Sequence, residues 1–206
     1  MLTKTTKSLF NGRYQYKLVL VCAGANWFRG GDWAGTLENL QKITLNDSKT
    51  SRTGIKTQED LDYAFKLQSQ LKKLKDITVR VETPWISVYS NNKAEIDSLI
   101  KLDRARVKYI SVPPSNNTLT EGVIISPKVN YEFKVTMGKS GTQQSAFVSW
   151  AESNPKVKLT KSCKKELSRD RSWGGSYFYI TGEKNLLLAK MHLGGSINKI
   201  ERIVKG

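Results

Sequence analysis

A chain of 206 residues with 38% hydrophobic and 25% charged side chains lies in the range of folded globular proteins, which excludes general disorder. Its longest apolar run, Leu18 to Ala23, is too short to span a bilayer, and no apolar core of signal-peptide length follows the basic opening "MLTKTTKSLFNGRYQYK", so the expectation is an intracellular protein with no membrane partner. The 34 Lys and Arg against 18 Asp and Glu give a net charge of +16, which points to polyanionic partners.

At this length roughly 70% of the unfolded surface can be buried, so one domain over residues 1–206 is expected; no internal sequence repeat or low-complexity linker divides it. "YQYKLVLVCAG" alternates aromatic and branched residues and predicts a strand over Tyr14 to Ala23. The glycine-rich "GANWFRGGDWAG" follows, then the polar, turn-rich "TLNDSKTSRTG", together predicting a mobile surface excursion near 30–56. In "TQEDLDYAFKLQSQLKKLKD" Thr57 can cap a helix with Asp60 completing a capping box, and Leu61, Ala64, Phe65, Gln68, Leu71 and Leu74 recur at helical spacing. Glu59, Asp60 and Asp62 suit the positive end of that helix.

"ITVRVETPWISVYSN" predicts two strands or one bent strand, "NNKAEIDSLIKLD" a short helix, and "RVKYISVPP" a strand stopped by Pro113 and Pro114. Beyond these, "EGVIISP", "YEFKVTMG", "SYFYITG" and "NLLLAKMHLGG" read as strands. "TQQSAFVSWAESN" predicts a helix from Gln143 to Ser153 capped by Thr142, and "LTKSCKKELSR" another capped by Thr160 or Ser162. "SINKIERIVKG" fits helix or strand equally. The expected class is α+β, a mixed or mainly antiparallel sheet with two to four packed helices.

Several chemistries lack their parts. The loop "AGANWFRGG" has neither the Gly-Lys-Ser/Thr ending of a P-loop nor the spacing of a dinucleotide fingerprint. Its Trp27, Phe28 and Arg29, with Trp33, either stack on a ligand or fold back over the sheet. His192, the one histidine, has no nucleophile-elbow motif with it and is expected to be partly buried or at a sheet edge. Cys22 and Cys163 have neither disulfide nor metal spacing and read as free thiols. No metal site and no cofactor are expected. Glu132 and Lys134 would share one strand face, opposite Tyr131, Phe133 and Val135, and with Glu121 they form the one catalytic alternative, a Mg-dependent nuclease.

The strongest pattern lies late in the chain. From Asn154 to Gly206 there are 12 Lys or Arg against 4 acidic residues, a net +8 and half of the whole excess. The basic segment 154–172 contributes Lys156, Lys158, Lys161, Lys164, Lys165, Arg169 and Arg171, with Glu166 and Asp170 as possible partners. Directly after it, Tyr177 and Tyr179 would share one strand face, with Trp173 and the flexible Gly174-Gly175 extending it. Cations that neutralise phosphates beside flat rings that stack bases suit nucleic acid, DNA or RNA. The expectation is therefore a nucleic-acid-binding protein without enzymatic activity, of viral or mobile-element style. The alternative of another class is a structural protein that holds protein partners in a nucleoprotein assembly.

Overall fold

The computed structural model describes residues 2–45, 54–114, 119–140 and 144–205. By its internal contacts the chain divides into two compact units, Met1–Leu119 and Thr120–Gly206. Where one domain is expected from the sequence, the strands pair only within their own unit and each unit has its own apolar cluster.

The first unit contains strands β1 (Leu2–Thr5), β2 (Tyr16–Val21), β3 (Ile77–Glu82), β4 (Trp85–Ser90) and β5 (Val107–Val112), in the order β1-β5-β2-β4-β3. Only β1 and β5 run parallel. Helices α1 (Trp33–Gln41) and α2 (Gln58–Lys73) lie between β2 and β3 in sequence, and α3 (Lys93–Ile100) between β4 and β5. Leu18, Leu20, Ile86, Val88 and Ile110 alternate onto one sheet face and are buried with Leu67 and Leu71 of α2 and Ile96 and Leu99 of α3. Each such side chain contributes about 1.5–3 kcal/mol of transfer free energy, which sets the register of the strands. α2 starts as its sequence predicts, Thr57 Oγ1 accepting from the Asp60 amide at 3.1 Å. The Asp60 carboxylate also accepts from Arg106 Nη1 at 2.9 Å and from the Lys56 amide at 3.5 Å.

The second unit contains β6 (Val123–Ile125), β7 (Phe133–Met137), β8 (Val157–Leu159), β9 (Tyr177–Ile180) and β10 (Ile197–Val204), in the order β6-β10-β7-β9-β8. Again only the outer pair, β6 with β10, is parallel. Helix α4 (Ser145–Ser153) precedes β8, α5 (Lys161–Leu167) lies between β8 and β9, and α6 (Glu183–Leu193) precedes β10. Phe133, Val135, Phe178 and Ile180 are buried with Phe147, Cys163, Leu167, Leu186 and Ala189 from these helices. The Phe147 and Phe178 ring centroids are 5.1 Å apart, a tilted pair at the centre of this core.

Strand for strand, the two units have one topology: first, fifth, second, fourth, third across the sheet. Without the outermost strand, both sheets keep the order fourth, first, third, second, and the first unit runs β2, α1 and α2, β3, β4, α3, β5, the ferredoxin-like connection. The units differ where β3 and β4 form a hairpin through Thr83-Pro84, whereas α5 separates β8 from β9.

The α+β class holds, but the sheets are two and mixed, and six α-helices stand among the described residues, more than expected. Two helices replace predicted loop or strand. Part of the expected excursion near 30–56 is α1, capped by Asp32 Oδ1, which accepts from the Gly35 amide at 2.9 Å; residues 46–53 lie outside the described residues. "NLLLAKMHL" is α6, with Leu186, Ala189 and Leu193 buried at helical spacing. Its Leu, Ala, Lys and Met are helix formers without β-branching, and that preference overrides the strand-like look of a short apolar run. "SINKIERIV" resolves as strand β10. Thr142 and Gln143, the expected start of α4, lie outside the described residues.

Candidate nucleic-acid interface

In the second unit all the core helices pack on one face of the sheet, so alternation turns every other strand residue to the opposite face. Tyr177 and Tyr179 of β9 point there while Phe178 and Ile180 are buried, as their spacing predicts. Pairing then supplies neighbours. Lys158 of β8 and Lys134 of β7 flank Tyr179 in register, and Thr136 lies opposite Tyr177. Lys199 and Glu201 of β10 stand across from Thr136 and Lys134.

The rings form a continuous set. Tyr131 stacks on Tyr179 with centroids 5.8 Å apart and planes 22° from parallel, and Tyr177 meets Tyr179 edge-on at 5.5 Å. The Lys134 ammonium lies 4.6 Å from the Tyr177 centroid. Burial, and then the adjacent Tyr177, push the Tyr179 phenol above its usual pKa, so that ring is neutral at physiological pH. A cleft of about 330 Å³ opens beside these rings, lined by Lys128, Val129, Asn130, Tyr131, Lys158 and Tyr179.

One carboxylate is set among the cations. Glu201 is 5% exposed; its Oε1 is 2.5 Å from Lys199 Nζ and its Oε2 is 3.7 Å from Lys134 Nζ. It balances one of these two lysines, while Lys158 and Lys128 are exposed above the cleft.

The basic segment does not act as one surface. Lys158 joins the tyrosine face, and Lys156 is exposed just before β8. Lys161, Lys164 and Lys165 lie on the exposed side of α5, whose Cys163 and Leu167 face the core. α5 begins where Thr160 Oγ1 accepts from the Cys163 amide at 3.2 Å. Lys164 pairs with Glu152, and Arg169 Nη1 with Glu166 Oε1 at 2.9 Å. Arg171 is exposed in the turn after α5.

Trp173 is 81% exposed at the tip of an anchored turn. Glu166 Oε2 accepts from Ser172 Oγ at 2.9 Å and from the Trp173 amide at 3.3 Å. The glycines after it hold a fixed shape: Gly174 has φ 78°, and a Cβ there would lie 2.7 Å from the Gly138 carbonyl carbon. Gly175 donates its amide to Met137 O at 2.8 Å. Gly174 provides a close backbone approach to Gly138.

The residues of the nuclease alternative are placed apart in role. Glu132 precedes β7 and its Oε2 accepts from the Gly182 amide at 3.0 Å, Lys134 faces Glu201, and Glu121 is exposed in the turn before β6. Tyr131 leaves the Phe133 side because it lies before the strand, where alternation does not apply. Among the described residues no group of three or more His, Cys, Asp or Glu is arranged to hold a metal ion. His192 is exposed on α6 with its ring 5.3 Å from Trp150, rather than at a sheet edge. In the first unit Phe28 is fully buried and Trp27 and Trp33 pack on the core, so that loop folds back over the sheet.

Tyr131 and Lys199 are members of the face that no local pattern marks; cross-strand pairing brings in Lys199, and a ring contact with Tyr179 brings in Tyr131. Comparison with protein-family models, curated proteins and solved structures yields no match. No helix among the described residues is long and apolar enough to cross a membrane.

Proposed function

We propose that the chain binds single-stranded nucleic acid on the helix-free face of its second sheet. Bases stack on Tyr131, Tyr179 and Tyr177 while phosphates meet Lys128, Lys134, Lys158 and Lys199. The observation that carries this reading is a row of three tyrosines, Tyr131 and Tyr177 each in ring contact with Tyr179, with lysines on the flanking strands. A flat ring platform favours unpaired bases, whose faces are open, over a duplex, whose bases are stacked on each other. Lys156, exposed just before β8, extends the cationic border at that edge of the sheet.

Anisotropy titration of labelled single-stranded DNA and RNA, with a duplex of the same sequence, tests it. The Tyr177→Ala/Tyr179→Ala variant should weaken single-strand binding by about 1–3 kcal/mol per stacked base, roughly five- to 150-fold for each. Unchanged affinity in that variant, or binding insensitive to salt, overturns the reading.

The second reading, assembly with protein partners, draws on α6. Leu187 and Met191 stand one turn apart with 60% and 73% of their surface exposed. Size-exclusion chromatography of nuclease-treated protein decides it: oligomers that persist, and that Leu187→Lys dissociates, favour assembly.

A further inference from the structure

The face of the first sheet opposite its helices carries a second set of cations over rings. Three of the exposed large apolar side chains of the chain, Leu2, Val21 and Trp85, fall on it. Register places Leu2 opposite Tyr109 and Val21 opposite Trp85. A register shift in the β2–β5 pairing lies at Lys108, and its ammonium stands 3.2 Å from the Trp85 ring centroid. Lys4 lies 3.9 Å from the Tyr109 centroid, and Lys17 lies between Tyr89 and Tyr109 at 5.5 and 5.8 Å.

The correspondence with the second unit is positional. Lys17 of β2 is paired with Tyr89 of β4, as Lys134 of β7 is with Tyr179 of β9. One strand over, Tyr109 occupies the place that Lys199 has in the second sheet. The carboxylate on this face, Glu82, is held 2.8 Å from Arg80, so Lys4, Lys17 and Lys108 are left as a net positive group. Phe10 and Tyr14 cover the Tyr89 end, with Tyr14 hydroxyl and Thr78 Oγ1 2.8 Å apart, which leaves the Trp85 and Tyr109 end accessible.

We infer that this face is a second site for single-stranded nucleic acid, bases on Trp85 and Tyr109 and phosphates on Lys4, Lys17 and Lys108, so that one chain holds two segments of strand. Charge complementarity selects the occupant: a neutral or cationic partner would have to bury three ammonium groups without counter-charge. Lys108 and Lys4 swing from ring to phosphate as a base takes their place over Trp85 and Tyr109. This inference rests on the proposed function for its ligand class but on separate residues for its site.

The test counts short strands. A thymidine octamer is titrated calorimetrically into the full chain at 50 mM salt, with ultraviolet crosslinks mapped to peptides. The wild type should take two octamers. The Tyr177→Ala/Tyr179→Ala/Lys158→Glu variant should take one, crosslinked to peptides that contain Trp85 or Tyr109. Adding Lys4→Glu/Lys108→Glu to that variant, with its far-UV circular dichroism unchanged, should weaken the remaining site roughly tenfold or more. One octamer on the wild type and none on the triple variant overturns this inference and leaves the proposed function standing. Binding that survives the triple variant at full strength but is lost in Lys4→Glu/Lys108→Glu supports this site and overturns the proposed one. A wild type that takes no octamer overturns both.

Discussion

Replacing Glu201 by Gln keeps the shape of a nearly buried side chain and removes the charge that balances Lys134 and Lys199. With Glu201 ionised, Lys128, Lys134, Lys158 and Lys199 present three net positive charges on the second sheet's tyrosine face; with Gln they present four. For a single strand the log–log salt slope is about −0.7 per neutralised phosphate, so it should steepen from about −2.1 to about −2.8. Between 50 and 200 mM salt, affinity should then fall about 20-fold for the wild type and about 50-fold for Glu201→Gln. With equal affinity extrapolated to 1 M salt, the variant binds about eightfold tighter at 50 mM. Both lysines retain solvent contact, so the fold should survive the loss of their carboxylate. The assay is anisotropy of a labelled single-stranded oligonucleotide over a salt series, with urea unfolding as a check on the fold. An unchanged slope with unchanged affinity in a folded variant would mean that phosphates do not pass over Lys134 and Lys199.

Three further outcomes are expected. Cys22 and Cys163 are fully buried, and burial pushes their thiols up to about 12 and about 11; neither should react with a thiol reagent at neutral pH until the chain unfolds, and fast labelling of folded protein contradicts the placement. Burial of Asp60 acts to raise its pKa, but hydrogen bonds from Arg106, Thr57 and the Lys56 amide and the Arg106 charge outweigh it, so the folded value lies below the unfolded one. Its contribution is therefore present above about pH 4 and is lost as pH falls through the folded value; urea midpoints should drop in that window, and Arg106→Gln should flatten the drop. Gly174→Ala should destabilise by more than about 1 kcal/mol through φ and a backbone clash, whereas Gly175→Ala, also at positive φ but with open space around its Cβ position, should cost less; equal urea midpoints would refute the close approach to Gly138.

Much of the architecture is legible where side-chain period and caps agree. Residues 57–112 show this: Thr57 and Asn92 cap their helices, and the alternating Ile77, Val79 and Val81 then Ile86 and Val88 give the hairpin. α1 is hidden because Gly35 and the nearby glycines look like loop, although Asp32 is a cap and Leu40 is buried. α6 is hidden because three consecutive leucines satisfy either period. The repeated topology leaves no repeated sequence, since each strand needs only an alternating pattern and not particular residues.

The site was half legible. Tyr177 and Tyr179 could be named because one strand's alternation fixes their direction, and Lys158 as a member of the basic run, without its place on a strand. Lys199 is far away in sequence and only the β7–β10 ladder brings it opposite Thr136, while Tyr131 lies before β7 and joins through its ring contact with Tyr179. Conversely, a contiguous run of lysines looks like one patch on paper, yet β8 ends at Leu159 and α5 begins at Lys161, which turns the run from sheet face to helix surface.

The position of β10 has a consequence for how the molecule is made. It is the last strand in chain order yet lies between β6 and β7, so during translation those two strands wait without their shared neighbour until residues 197–204 leave the ribosome. The first unit has all its strands once Val112 has emerged, whereas nascent second-unit chains keep β6 and β7 without their shared partner until β10 emerges and are the stage at which chaperone capture or misassembly should concentrate.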